Sequence, residues 1–334
     1  MSDGLSHQHV YQVYEDSRGF IWVVTSRGLD FFNGNRFVEV LQWPTMEHPE
    51  EVHIETEDKK GNLWIRRKQN RSLVFHLVQL KTLQVSTPQI EWPNLTAQCN
   101  DVSVLPGGDL LITDVAGGFW VLGDQQSPRF ICQLPSGPFR ILDATTSSEQ
   151  VWIRVDKPLH SDSELKLLNL RNGEIQSAVS VEAINSYFTT GGTDLTWVDA
   201  EGIHSITSAG RRRFTIPTSV SLKCSWDRVV GADPKSGNLW LHGSDELLVF
   251  HPEQGVLHDF AGYFTKIPAF GNVFQLYVDS RQVVWVSSIN GLYQIDFRPS
   301  VFQRLLWNDP AKSANPFINS CRGILEHSSG RILI

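Results

Sequence analysis

Arg66, Arg67, Lys68 and Arg71 place four cations within six residues of a chain whose formal net charge is −7. Guanidinium forks suit carboxylate and sulfate groups, because parallel N–H donors meet paired oxygens. Together with Arg27, which follows an earlier copy of the same segment, they read as a loop surface for an acidic oligosaccharide, such as a uronate or sulfated sugar. The competing reading is a solvated loop. Three tryptophans stand beside prolines: Trp43 before Pro44, Trp92 before Pro93 and Trp307 ahead of Pro310. An exposed indole at such a connector stacks on a sugar ring or buries against a second domain; a buried one caps its own strand. His7 and His9 fall on one side of an extended strand, a spacing a metal could use, but no third ligand accompanies them. No metal site is therefore assigned. No GxSxG, HExxH or phosphate loop occurs, and the acids are too scattered to select a glycosidase pair. No catalytic residue and no cofactor is assigned.

Composition narrows the partners. Acidic residues number 36 against 29 basic ones, the wrong balance for a general nucleic-acid binder. No apolar run approaches the ~18 residues that cross a membrane, and MSDGLSHQHV lacks a signal-peptide core, so this segment is expected to make no membrane contact. Cys99, Cys132, Cys224 and Cys321 lie far apart, with no CxxC pair.

The elements that carry these residues recur. Gly19-Phe20-Ile21-Trp22 returns as Gly61-Asn62-Leu63-Trp64 and as Gly237-Asn238-Leu239-Trp240. Looser copies end at Trp152, Trp197 and Trp285, and Leu replaces Trp at Leu111 and Leu333. The steps between anchors run from 41 to 48 residues. Each unit holds four strand-like runs separated by turn chemistry such as Ser-Arg-Gly and Asn-Gly-Asn. Four strands at that period mark a propeller blade. The expected fold is all-β: a seven-bladed β-propeller with four antiparallel strands per blade. Each anchor Trp is expected to fill the gap between neighbouring blades, and the Gly three before it to form the first turn. Trp120 and Trp226 read as ordinary strand residues. Residues 1–311 are assigned to the propeller. Residues 312–334 read as the truncated start of a following repeat array, because an eighth copy begins near Phe317 and its second strand, Arg331 to Ile334, is cut short.

The first unit carries a resemblance: Leu5-Ser6, Val10, Val13, Glu15-Asp16-Ser17-Arg18-Gly19-Phe20-Ile21-Trp22, Thr25, Gly28-Leu29, Asn33-Gly34 and Phe37. It resembles the two-component regulator propeller repeat. The resemblance implies a periplasmic sensor region of a bacterial hybrid two-component system of Bacteroidetes type. A following propeller in the same chain, a homodimeric, inner-membrane-anchored parent and a histidine kinase come with it. The implied function is detection of an oligosaccharide, without catalysis in this segment. Two other classes compete. A glycan-processing propeller enzyme of the sialidase type would carry an Asp five residues before its Trp, whereas Asp16 lies six before Trp22. A protein-interaction scaffold of the WD type would carry Gly-His and Trp-Asp dipeptides, which are absent.

Overall fold

The computed structural model describes residues 4–44, 52–69, 72–88, 90, 99–105, 108–114, 116–123, 127–134, 139–144, 150–156, 162–182, 187–191, 194–199, 202–207, 210–214, 230–233, 235–242, 247–251, 254, 256–259, 272–296, 325–326 and 332–333. Every regular element among them is a strand. β1 (Val10–Glu15), β2 (Ile21–Thr25), β3 (Gly28–Phe32) and β4 (Phe37–Gln42) form one antiparallel sheet in chain order. β5 (Val52–Glu57), β6 (Asn62–Gln69), β7 (Ser72–Gln79) and β8 (Val85–Ser86) form the second. The third contains β9 (Cys99–Val104), β10 (Leu110–Asp114), β11 (Gly118–Leu122) and β12 (Arg129–Gln133). The fourth contains β13 (Phe139–Ala144), β14 (Gln150–Asp156), β15 (Asp162–Asn169) and β16 (Ile175–Glu182). The fifth contains β17 (Tyr187–Gly191), β18 (Asp194–Asp199), β19 (Gly202–Thr207) and β20 (Gly210–Phe214). The sixth contains β21 (Val230–Ala232), β22 (Leu239–His242), β23 (Leu247–His251) and β24 (Val256–Asp259). β25 (Val273–Val278), β26 (Val284–Ser288) and β27 (Gly291–Ile295) make a three-stranded sheet.

Each sheet's first strand lies beside the first strand of the next sheet. The cycle runs β1, β5, β9, β13, β17, β21, β25 and back to β1. This is the propeller plan: radial sheets around an axis, each built from one contiguous repeat. The chain divides into two compact units, Met1–Asp296 and Phe297–Ile334. In the second, β28 (Leu325–Glu326) pairs antiparallel with β29 (Ile332–Leu333). The boundary expected after residue 311 lies outside the described residues.

The anchor side chains pack where the repeat placed them. Trp285, at 3% exposure, joins Val13, Ile21 and Val23 between the seventh and first sheets. Trp22, at 0%, joins Ile54, Leu63 and Ile65 between the first and second. Leu111 packs with Val151 and Ile153, and Trp152 with Leu195 and Trp197. Burying ~200 Å² of aromatic surface is worth roughly 5 kcal/mol before entropy is counted. The turn glycines behave as the spacing requires: φ is +79° at Gly19, +74° at Gly61 and +70° at Gly237. Where the glycine is lost, Gln282 is forced into the same left-handed region, at φ +65°.

Polar latches stitch neighbouring sheets along their first strands. Ser280 donates to the Glu15 carboxylate from its backbone N at 2.6 Å and from its hydroxyl at 2.7 Å. Tyr277 Oη accepts the Glu15 N–H at 3.2 Å, and Gln275 Oε1 accepts that of Val13 at 2.6 Å. One sheet further on the same groups recur. Ser17 donates to Glu57 at 2.7 and 2.6 Å. Tyr14 Oη accepts the Glu57 N–H at 3.2 Å, and the Gln12 amide bonds both polar groups of the Ile54 backbone. The seam that closes the ring is therefore made like an internal one.

Candidate functional site

The carboxylates of the first turns are densely bonded polar groups. Asp16 is 3% exposed. Its Oδ1 accepts the backbone N–H of Arg18 at 2.9 Å and of Phe20 at 3.1 Å. Its Oδ2 accepts the Trp22 indole at 3.0 Å and the Arg18 guanidinium at 2.6 Å. Asp279 repeats the set with Arg281, Val283 and Trp285, and Asp58 repeats most of it with Lys60, Asn62 and Trp64. Each carboxylate thus fixes a turn and orients the anchor indole at once. The six-residue spacing that set Asp16 apart from a sialidase box is the length this clamp needs. With every acceptor position taken, these acids do structural work and have no lone pair to spare for a reaction.

Trp120 lies on β11 as the sequence led one to expect, but it also takes part in a clamp that this reading missed, and Trp226 lies outside the described residues. Asp114, Gly117 and Trp120 repeat the Asp, Gly and Trp spacing of the first turn, and Trp120 Nε1 donates to Asp114 Oδ2 at 2.8 Å. Here the clamp closes the turn between the second and third strands. Trp120 then packs with Leu110 and Phe75, facing the second sheet. The Asp-x-x-Gly-x-x-Trp pattern in the sequence was the available signal.

The cations after Trp64 are not in a loop. Arg66, Arg67 and Lys68 continue β6, which pairs with β7 as far as Gln69 and Ser72. Strand alternation therefore sets Arg66 and Lys68 on one face and Arg67 on the other. Arg66 forms an ion pair with Glu55, both largely buried, so its charge is answered within the sheet. Lys68 is exposed and Arg67 half-buried. Arg27 is exposed beside Gln42; with the Gln42 amide turned so that its oxygen faces Arg27, that oxygen accepts Nε at 3.0 Å and Nη2 at 3.1 Å. Trp43 is buried at 4%, among Tyr11, Val52 and Ile65, so it is not an exposed stacking platform. Its backbone N–H is held by the Arg27 carbonyl at 3.0 Å. Arg27, Trp43 and Arg67, which is paired with Val52, thus come to one end of the first two sheets. Arg71, Trp92 and Trp307 lie outside the described residues.

That end also carries a polar cluster. His7 Nδ1 accepts from Ser26 Oγ at 2.6 Å and from the His9 N–H at 3.0 Å, which puts the ring proton on Nε2. Burial, then the His9 and Arg27 charges, pull the His7 imidazole below its usual pKa. Ser6 donates its N–H and hydroxyl to Asp30 Oδ2, at 2.9 and 2.7 Å. Burial pushes the Asp30 carboxyl up. Ser26 is 0% exposed, so the Ser26–His7 pair has no reach to a substrate.

Radial four-stranded sheets joined through their first strands define a β-propeller. Within that class, residues 4–27 match the family model described as two component regulator propeller, so the chain carries that repeat where the resemblance placed it. No curated protein matches the chain. Among solved structures, the extracellular domain of a putative hybrid two component system from B. thetaiotaomicron aligns at TM-score 0.61 and 15% identity. That alignment covers 89% of this chain and 41% of the other. Virginiamycin B lyase from Staphylococcus aureus aligns at TM-score 0.62 and 14% identity, over 86% of this chain and 94% of the lyase. Kuenenia stuttgartiensis hydrazine synthase aligns at TM-score 0.62 and 10% identity, over 90% and 98%. A two-component-system domain and enzymes as neighbours, all at 15% identity or less, together show the fold alone. No helix among the described residues is long and apolar enough to cross a membrane.

Proposed function

We propose that this chain is a ligand-sensing propeller of a bacterial two-component system, detecting an oligosaccharide and relaying the signal to a histidine kinase. The match of residues 4–27 to the two-component regulator repeat carries the reading. The alignment with less than half of a B. thetaiotaomicron sensor domain supports it. On this reading the seven sheets of the cycle are the seven blades, spanning residues 1–311, and 312–334 begins a second array. The sensor region lies in the periplasm of a membrane-anchored, homodimeric parent. Binding shifts how this propeller packs on its neighbour, which requires that the ligand favour one arrangement.

The lyase neighbours favour a second reading, a propeller enzyme. Thermal shift and product analysis on one glycan panel separate the two. Stabilisation without new products supports the sensor; steady release of cleaved sugars overturns it.

A further inference from the structure

The seam between the second and third sheets departs from its two predecessors. Across those earlier seams a Ser in one first turn holds a Glu on the next sheet. At the corresponding positions here stand Lys59 and Val104, so the Ser–Glu latch cannot form. A cleft of ≈ 300 Å³ opens instead, between the turn at Asp58–Gly61 and the turn carrying Gly108 and Asp109. That is near the lower end of ligand pockets, roughly 300–1,000 Å³.

The lining is of two kinds. Trp64, Leu77, Pro88, Ile90 and Leu122 give it carbon surface. Trp64 is only half-buried, whereas Trp22, Trp152 and Trp285 are at 0, 3 and 3% exposure. Its indole N–H is spent on Asp58, so what it offers the cleft is its π surface. Asp58 in turn is filled by donors from Lys60, Asn62 and Trp64. The remaining charged rim groups are the Asp109 carboxylate and the Lys59 and Lys60 ammoniums; the Asp109 and Lys59 side chains have no hydrogen-bond partner among the described residues. One accepts and the other donates.

We propose that this cleft is a subsite for one uncharged pyranose ring, its C–H face against Trp64 and its hydroxyls bonded by Asp109 and Lys59. Hydroxyls both donate and accept, so a rim of mixed charge suits them. An acidic sugar would face the Asp109 charge, and a cationic one the lysines. The proposal rests on the sensing function above and adds a place and a preference for neutral over acidic sugars.

The test titrates the full chain with neutral disaccharides (maltose, cellobiose, lactose, mannobiose) and with digalacturonate, following tryptophan fluorescence and heat. A neutral disaccharide should bind with Kd below about 10 mM. Asp109→Asn and Lys59→Ser, both at the surface and checked for unchanged melting, should each weaken it about tenfold. Trp64→Phe should abolish the fluorescence change. Equal affinity in all variants, or binding of digalacturonate alone, overturns the subsite and leaves the sensor standing. No binding of any sugar overturns both.

Discussion

Asp16 shows what the anchor indole of the first sheet depends on. A buried indole N–H left without an acceptor costs about 1–3 kcal/mol. The third sheet, with Leu105 and Leu111 at the two positions, has no indole there to satisfy, whereas the fourth to sixth keep Trp152, Trp197 and Trp240 with Thr146, Gly191 and Pro234 six residues earlier. Asp16→Ala should therefore cost about 2–4 kcal/mol, since it strands the Trp22 N–H, two backbone N–H groups and the Arg18 side chain. Urea unfolding of the variant measures it, and a loss below ~1 kcal/mol would mean that water replaces the carboxylate. Truncation of the anchors themselves should follow their burial. Trp22→Ala should lose about 3–5 kcal/mol and Trp64→Ala clearly less, because Trp64 is half-buried beside a cleft. Equal losses would show that the cleft closes in solution.

At the scale of elements, the first turn isolates backbone strain from packing. A Cβ on Gly61 would meet nothing within 4 Å, yet its φ is +74°. Gly61→Ala should cost about 1–2 kcal/mol from conformation alone, read from the shift of the denaturation midpoint. A neutral result would mean that the turn can change type. The turn also explains what was legible in the sequence. Gly-x-x-Trp at a steady period gave the strands, the turns and the inter-sheet packing, because each is a local demand repeated around one ring. The latches were not legible, since Gln12, Tyr14, Ser17 and Glu57 act across 40 or more residues and look like ordinary surface. Arg66, Arg67 and Lys68 misled for a physical reason: a cluster of cations suggests a solvated loop, but Glu55 across the strand pair answers Arg66 and lets β6 run on. Trp43 misled likewise, because a Trp before a Pro marks a connector without saying which way the indole turns.

For the whole molecule, the clearest consequence of folding is a loss of stability in acid. Burial, then the Arg66 charge, lower the His53 imidazole from 6.5 to about 4. His76 and His7 are lowered in the same sense. A group whose folded pKa is depressed binds its proton more readily when unfolded. As pH falls below 6.5 the unfolded chain takes up that proton and the folded one does not, so stability drops until about pH 4 and then levels. For His53 alone the drop between pH 7 and pH 5 is about 2 kcal/mol. Urea midpoints at the two pH values measure it, and His53→Gln should flatten the difference by that amount. His53 lies on a first strand, against the Arg66–Glu55 pair that joins β5 to β6. Arg66→Gln should therefore flatten the profile in part, by removing the charge that disfavours the imidazolium. A variant at either position that keeps the full acid loss would place its origin elsewhere in the ring.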